Sequence, residues 1–138
     1  MDARIRQIVR ERAGRCCEYC RFPERPLPYL VFHLDHIIAR QHVDEAPDDP
    51  GSLAWACSEC NYHKGPNLVS IDPQTKQQAA LFNPRHDHWD DHFTIDHGMI
   101  VGLTPTGRAT ARLLNMNAPR LVRLRRELIE QGAFSSGR

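Results

Sequence analysis

The stretch HLDHIIAR, residues 33–40, sets two imidazoles and a carboxylate into an otherwise apolar run. The apolar and β-branched residues around it predict a strand over Tyr29–Ile38. Side chains alternate along a strand, so His33, Asp35 and Ile37 share one face and Leu34, His36 and Ile38 the other. A buried strand does not ordinarily carry this much titratable chemistry. A carboxylate and an imidazole side by side at a strand end are the parts of a hydrolytic metal site. The carboxylate is a hard oxygen ligand for Mg²⁺. An imidazole, with an ordinary pKa of about 6.5, can take a proton from water at neutral pH.

Two CxxC pairs flank this stretch, Cys17-Glu18-Tyr19-Cys20 and Cys57-Ser58-Glu59-Cys60, with 36 residues between Cys20 and Cys57. Each pair lies beside a turn and can present two thiolates to one side of a metal. Together they predict a tetrahedral structural zinc site, closed to water by its four sulfurs. A redox CxxC needs a βαβ setting that the pattern lacks. Cys16 is left over and reads as a small buried apolar residue. Asn61 directly follows Cys60, so the cysteine frame would place it at the start of a short helix, where it could be the second oxygen ligand beside Asp35.

The 138 residues suffice for one domain with a modest core. At 41% apolar residues the chain is globular, and no apolar run approaches the roughly 20 residues of a membrane span. The charged start MDARIRQIVRER lacks the apolar core of a signal peptide, and a cytoplasmic protein is expected. The net charge is only +1, but residues 1–26 hold seven arginines against four acids and residues 105–138 seven against two. Arginine forks suit phosphate, so two basic ends fit a nucleic-acid partner, although solvated helix faces give the same pattern. The acids gather in the middle, as in Asp44, Glu45, Asp48 and Asp49.

Periodicity predicts a helix over residues 3–13, a short strand LAWAC and a helix SECNYHKG stopped by Gly65 and Pro66. A hairpin follows over 68–83 with Asp72-Pro73 at its turn, and a second over FTIDHGMIVGL with its bend at Asp96, His97 and Gly98. RATARLLNM reads as a helix. Asn117 is expected to cap a last helix with Leu121, Leu124 and Leu128 on its apolar face. The tail SSGR is expected to be loose. HDHWDDH, residues 86–92, resembles a metal cluster but lacks the glutamate of HExxH, so Trp89 and Phe93 are expected to pack this segment onto the core.

CEYC, LDHI and CSECNYHKG, in this order, resemble the HNH endonucleases, the ββα-metal nucleases, in their version with a four-cysteine zinc. The likeness covers residues 13–68. LFNPRHDHWDDHF and GLTPTGRATARLLNMN are similar to a C-terminal extension of some bacterial members. The resemblance implies an α+β fold, a ββα-metal core stapled by Cys17, Cys20, Cys57 and Cys60. A C-terminal β-hairpin and helices over 69–138 would pack on that core within one domain. It implies hydrolysis of phosphodiester bonds, most naturally in DNA. Arginine-rich ends that grip the backbone and no dedicated recognition module such as a helix-turn-helix make low sequence specificity or nicking the expectation. His36 would be the general base, and Asp35 and Asn61 would hold catalytic Mg²⁺ or Mn²⁺. Lys64 would lie near the phosphate, and His63 would be a third ligand or a phosphate contact. His33 could be a further ligand or could orient Asp35.

Two departures from the family pattern matter. Ser52 stands where the middle asparagine would fall, so weaker loop order is expected. Ala39-Arg40-Gln41-His42 replaces the usual proline and small polar residues after DHI. The competing expectation is a zinc-stabilised nucleic-acid-binding module without catalysis. A zinc-stabilised subunit whose basic helices recruit a larger complex is a third.

Overall fold

The computed structural model describes residues 2–27, 30–43 and 48–134. The predicted strand start at Tyr29, the acids Asp44 and Glu45, Arg138 and the SSGR tail lie outside the described residues. Helix α1 (Ala3–Arg12) opens on Asp2, whose carboxylate accepts from the Arg4 N–H at 2.7 Å, a side-chain N-cap. Strands β1 (Phe32–His36) and β2 (Leu53–Cys57) then pair antiparallel, with Asp35 opposite Ala54 and His36 opposite Leu53. Strand β2 runs directly into α2 (Ser58–Lys64), which completes a ββα unit.

The long β1–β2 connection is closed by the Ile37 N–H on the Ser52 carbonyl at 3.1 Å. The expected looseness at Ser52 is met by a neighbour. Asp49 caps the turn at 50–52 through the Gly51 N–H at 2.8 Å, and Ser52 Oγ donates to the Asp49 carbonyl at 3.2 Å. Residues 40–42 form a single 3₁₀ turn, and His42 Nε2 holds the Pro66 carbonyl at 2.8 Å. This carries the turn across to the end of α2.

The rest comprises the hairpin β3 (Val69–Ile71) and β4 (Gln78–Ala80), a short α3 (Trp89–His92), the hairpin β5 (Phe93–Asp96) and β6 (Met99–Gly102), α4 (Pro105–Leu113) and α5 (Pro119–Glu130). The second hairpin turns through His97 and Gly98, both at positive φ (52° and 84°), the conformation of a type I′ turn. Helix α4 begins three residues before the predicted Arg108. Pro105 sits in its first turn, where a missing N–H removes no helical bond, and Thr104 Oγ1 accepts from the Gly107 N–H at 3.0 Å. Asn117 does not cap α5. Its side chain clasps both the N–H and the carbonyl of Ile100, each at 2.8 Å, and Ala118 occupies the N-cap without a side-chain bond.

The later elements seat on the first cysteine knuckle. The Trp89 indole donates to the Tyr19 carbonyl at 2.8 Å, the Phe82 ring meets Tyr19 edge-on at 6.4 Å, and Arg85 pairs with Glu18. Trp89 and Phe93 are both buried, and each such side chain contributes roughly 1.5–3 kcal/mol. On the other side, Trp55 stacks on Phe32 at 5.7 Å and its indole donates to Glu24 at 2.9 Å. Several of the arginines counted in the sequence are engaged with the protein's own groups. Arg10 forks onto Glu24, Arg12 holds the carbonyls of Pro50 and Leu53, Arg108 forks onto the buried Asp72, and Arg125 is fully buried. The two basic ends are therefore only in part a surface charge.

Where β6 meets α4, backbone touches backbone. A Cβ on Gly107 would lie 2.0 Å from the His92 carbonyl oxygen, and one on Gly102 would lie 2.4 Å from the Arg108 nitrogen. Gly107→Ala is expected to lower the melting temperature by roughly 10 °C or more, the scale of a several-kcal/mol steric defect in a domain of this size. Thermal unfolding followed by circular dichroism measures it.

Candidate active site

The four cysteine sulfurs lie within 4.8 Å of one another, and all four residues are buried. Cys20 Sγ and Cys57 Sγ are 3.6 Å apart. Tetrahedral Zn–S bonds of about 2.3 Å place sulfurs about 3.8 Å apart, so the cluster has the dimensions of such a centre. The N–H groups of Tyr19 and Cys20 both point at Cys17 Sγ, each at 3.4 Å. The donor set is all sulfur and closed, which fits a structural metal ion. Cys16 stands apart, half-buried rather than buried as expected, with its thiol on the Gly14 carbonyl at 3.4 Å.

This cluster joins the turn before β1 to the start of α2, and the candidate catalytic residues hang from the joint. Asp35 is 5% exposed. The hydroxyl of Tyr19, from inside the first CxxC, donates to its Oδ2 at 2.7 Å. The Lys64 ammonium, from the end of α2, lies 3.2 Å from Oδ2 and 3.4 Å from Oδ1. Lys64 also donates to the carbonyls of His36 and Ile37 at 3.4 and 3.2 Å. Burial raises the Asp35 pKa, and the Lys64 charge and the Tyr19 hydrogen bond oppose that rise. Lys64 is itself only 2% exposed, so it reaches the site through Asp35 rather than from the surface.

Asp35, His36 and Asn61 line one open cavity of about 460 Å³ at the end of β1. Although Asp35 and His36 occupy opposite strand faces, the cavity wraps the strand end and reaches both. A carboxylate and an amide oxygen beside an open space fit a hard divalent cation that keeps several of its waters. His36 Nε2 lies 2.8 Å from Asp48 Oδ1, a contact that orients the ring. His36 also lines a second cavity of about 200 Å³, whose far wall is Asn83, Arg85 and His86. His63 turns toward Glu59, with 3.6 Å between Nε2 and Oε1, and is absent from the cavity lining. His33 Nε2 meets Ser58 Oγ at 3.1 Å rather than Asp35. A further cavity of about 860 Å³ lies between α1 and the segment before β1 and is lined by none of these candidates.

Residues 17–67 match the family model described as HNH endonuclease. Those residues are an HNH endonuclease domain. The match spans both cysteine pairs and the ββα unit, so the metal cluster and the cavity at the end of β1 both lie within the HNH domain. No curated protein and no solved structure matches the chain. No described helix is long and apolar enough to cross a membrane.

Three contributors escaped the sequence reading: Tyr19, Asp48 and the turn at 83–86. Tyr19 carried a local signal, its place between the two cysteines of the first CxxC pair. The other two reach His36 only through tertiary folding. Because the Tyr19 hydroxyl holds the Asp35 pKa down, Tyr19→Phe is expected to raise it. The carboxylate would then take up its proton at a higher pH than in the parent. An NMR titration of the Asp35 carboxyl carbon, parent against Tyr19→Phe, measures the shift and its sign.

Proposed function

We propose that the chain is a metal-dependent endonuclease that hydrolyses phosphodiester bonds in nucleic acid, most naturally DNA, with low sequence specificity. The observation that supports this best is the convergence of Asp35, His36 and Asn61 on one cavity within the HNH domain. The four-cysteine cluster would hold zinc in a structural role, and the segment at 69–138 would fold with the HNH core as one domain. Asp35 and Asn61 would hold Mg²⁺ or Mn²⁺, which when bound supplies positive charge against the phosphorane and the leaving 3′-oxygen.

The side chains then divide the work. His36 takes the proton from the water that attacks phosphorus. Asp48 orients the imidazole. Tyr19 and Lys64 hold the Asp35 carboxyl in place and oppose the rise that burial gives its pKa, and so act as positioning residues. His63, two residues beyond Asn61 on α2, would serve a substrate phosphate rather than the metal. Exposed arginines such as Arg112 and Arg123 meet the backbone, a mode of contact that carries no sequence information.

A second reading is a nucleic-acid-binding module without catalysis. Ser52 in the middle-asparagine position and the Asp48 contact on His36 favour it. Supercoiled plasmid incubated with Mg²⁺, with Mn²⁺ or with excess EDTA separates the two. The parent is expected to yield open-circle or linear DNA only with divalent metal. His36→Ala is expected to lose about 10²–10⁴-fold in rate, the range of a general base. A folded, zinc-loaded parent that leaves plasmid intact under every divalent ion would establish the binding module.

A further inference from the structure

Arg125 lies in the apolar stripe of α5, one turn from Leu121 and three residues before Leu128, and both leucines are buried. It is itself 0% exposed. Its guanidinium donates to the carbonyls of Gly98 at 2.6 Å and Met116 at 2.9 Å. Its centre sits 4.8 Å over the ring of Phe22, and its Nε is buried with no hydrogen-bond partner among the described residues. Each partner of this fully buried cation among the described residues is thus neutral, since neither a carbonyl nor a ring face carries net charge. An unpaired buried charge is among the most costly features a fold can hold.

The ring beneath the guanidinium leads to the four-cysteine cluster. Phe22 belongs to the first knuckle, for its carbonyl accepts the Cys17 N–H at 2.9 Å. Four thiolates around a divalent cation carry two net negative charges in a site that water does not reach. Burial pulls the Arg125 pKa down, and the charges of Cys20, Cys60, Cys57 and Cys17 act against it. Holding the hairpin turn does not require this cation. Arg126, on the exposed side of α5, already grips the His97 carbonyl at 2.9 and 3.1 Å.

We infer that Arg125 is the built-in counter-charge of the four-cysteine metal centre. Helix α5, outside the HNH match, completes that centre electrostatically without ligating the metal. The metal centre and the end of the chain are then one electrostatic unit, and each stabilises the other.

The test compares zinc affinity, by chelator competition, with thermal stability in Arg125→Met, Arg125→Lys and Leu128→Ala. Arg125→Met keeps most of the volume and loses the charge. Arg125→Lys keeps the charge and loses the fork. Leu128→Ala weakens the same helix without touching charge. Arg125→Met is expected to bind zinc about tenfold or more weakly, the scale of a buried charge interaction, while Arg125→Lys stays within about threefold of the parent. With cobalt in place of zinc, the sulfur-to-metal charge-transfer band of Arg125→Met should move to lower energy, because the thiolates lose a neighbouring positive charge. Parent-like zinc affinity and an unshifted band in Arg125→Met would overturn the inference. So would a loss in Leu128→Ala as large as that in Arg125→Met. If Arg125→Met does not fold, Arg125→Lys and Leu128→Ala decide at matched loss of stability. Tighter zinc binding in Arg125→Lys supports the counter-charge, and equal or weaker binding overturns it.

Discussion

Four sulfurs within 4.8 Å of one another tie together two segments that are 36 residues apart in the chain. A small domain gains much from such a tie, since metal binding shifts directly into folding free energy. Here the tie also sets the geometry of the site. Tyr19 lies between the first two cysteines and meets Asp35, while Asn61 and Lys64 follow the last cysteine along α2. Tyr19 and Lys64, the two side chains bonded to Asp35, are therefore both positioned from a cysteine pair.

Asp35 is a carboxylate whose burial is only in part offset by its partners. Burial favours the neutral acid, and the ammonium of Lys64 with the hydroxyl of Tyr19 works against it. Lys64 is held in turn by the carbonyls of His36 and Ile37 at the end of β1. The cavity thus has a fixed wall of paired charge and an open side toward solvent. Electrostatic help of that kind is most effective when it is set before a substrate arrives.

The frame was readable in the sequence because its signals are local. Two CxxC pairs, a strand entering a short helix and a two-residue hairpin turn each declare themselves over a few residues. Pro105 misled because proline breaks a helix interior yet suits its first turn. Asn117 misled because an asparagine before a helix usually caps it, and here Ile100 offers it a full pair of backbone partners. Arg125 was counted as surface charge, since a single cation in an apolar stripe cannot announce a partner some hundred residues away. Asp48, Asn83 and His86 reach His36 only once distant segments meet.

The connection between β1 and β2 is shut at its base by the Ile37–Ser52 bond, directly beyond the His36–Leu53 pair. What lies outside that clasp is mechanically separate from the strand register. Lengthening a loop adds closure entropy only slowly, by about 0.6 kcal/mol per doubling. Asp35 and His36 precede that clasp, whereas Asp48, which meets the His36 ring, lies beyond it. The clasp thus separates the register of the strands from the orientation of the imidazole, and changes in the loop act on the second without moving the first.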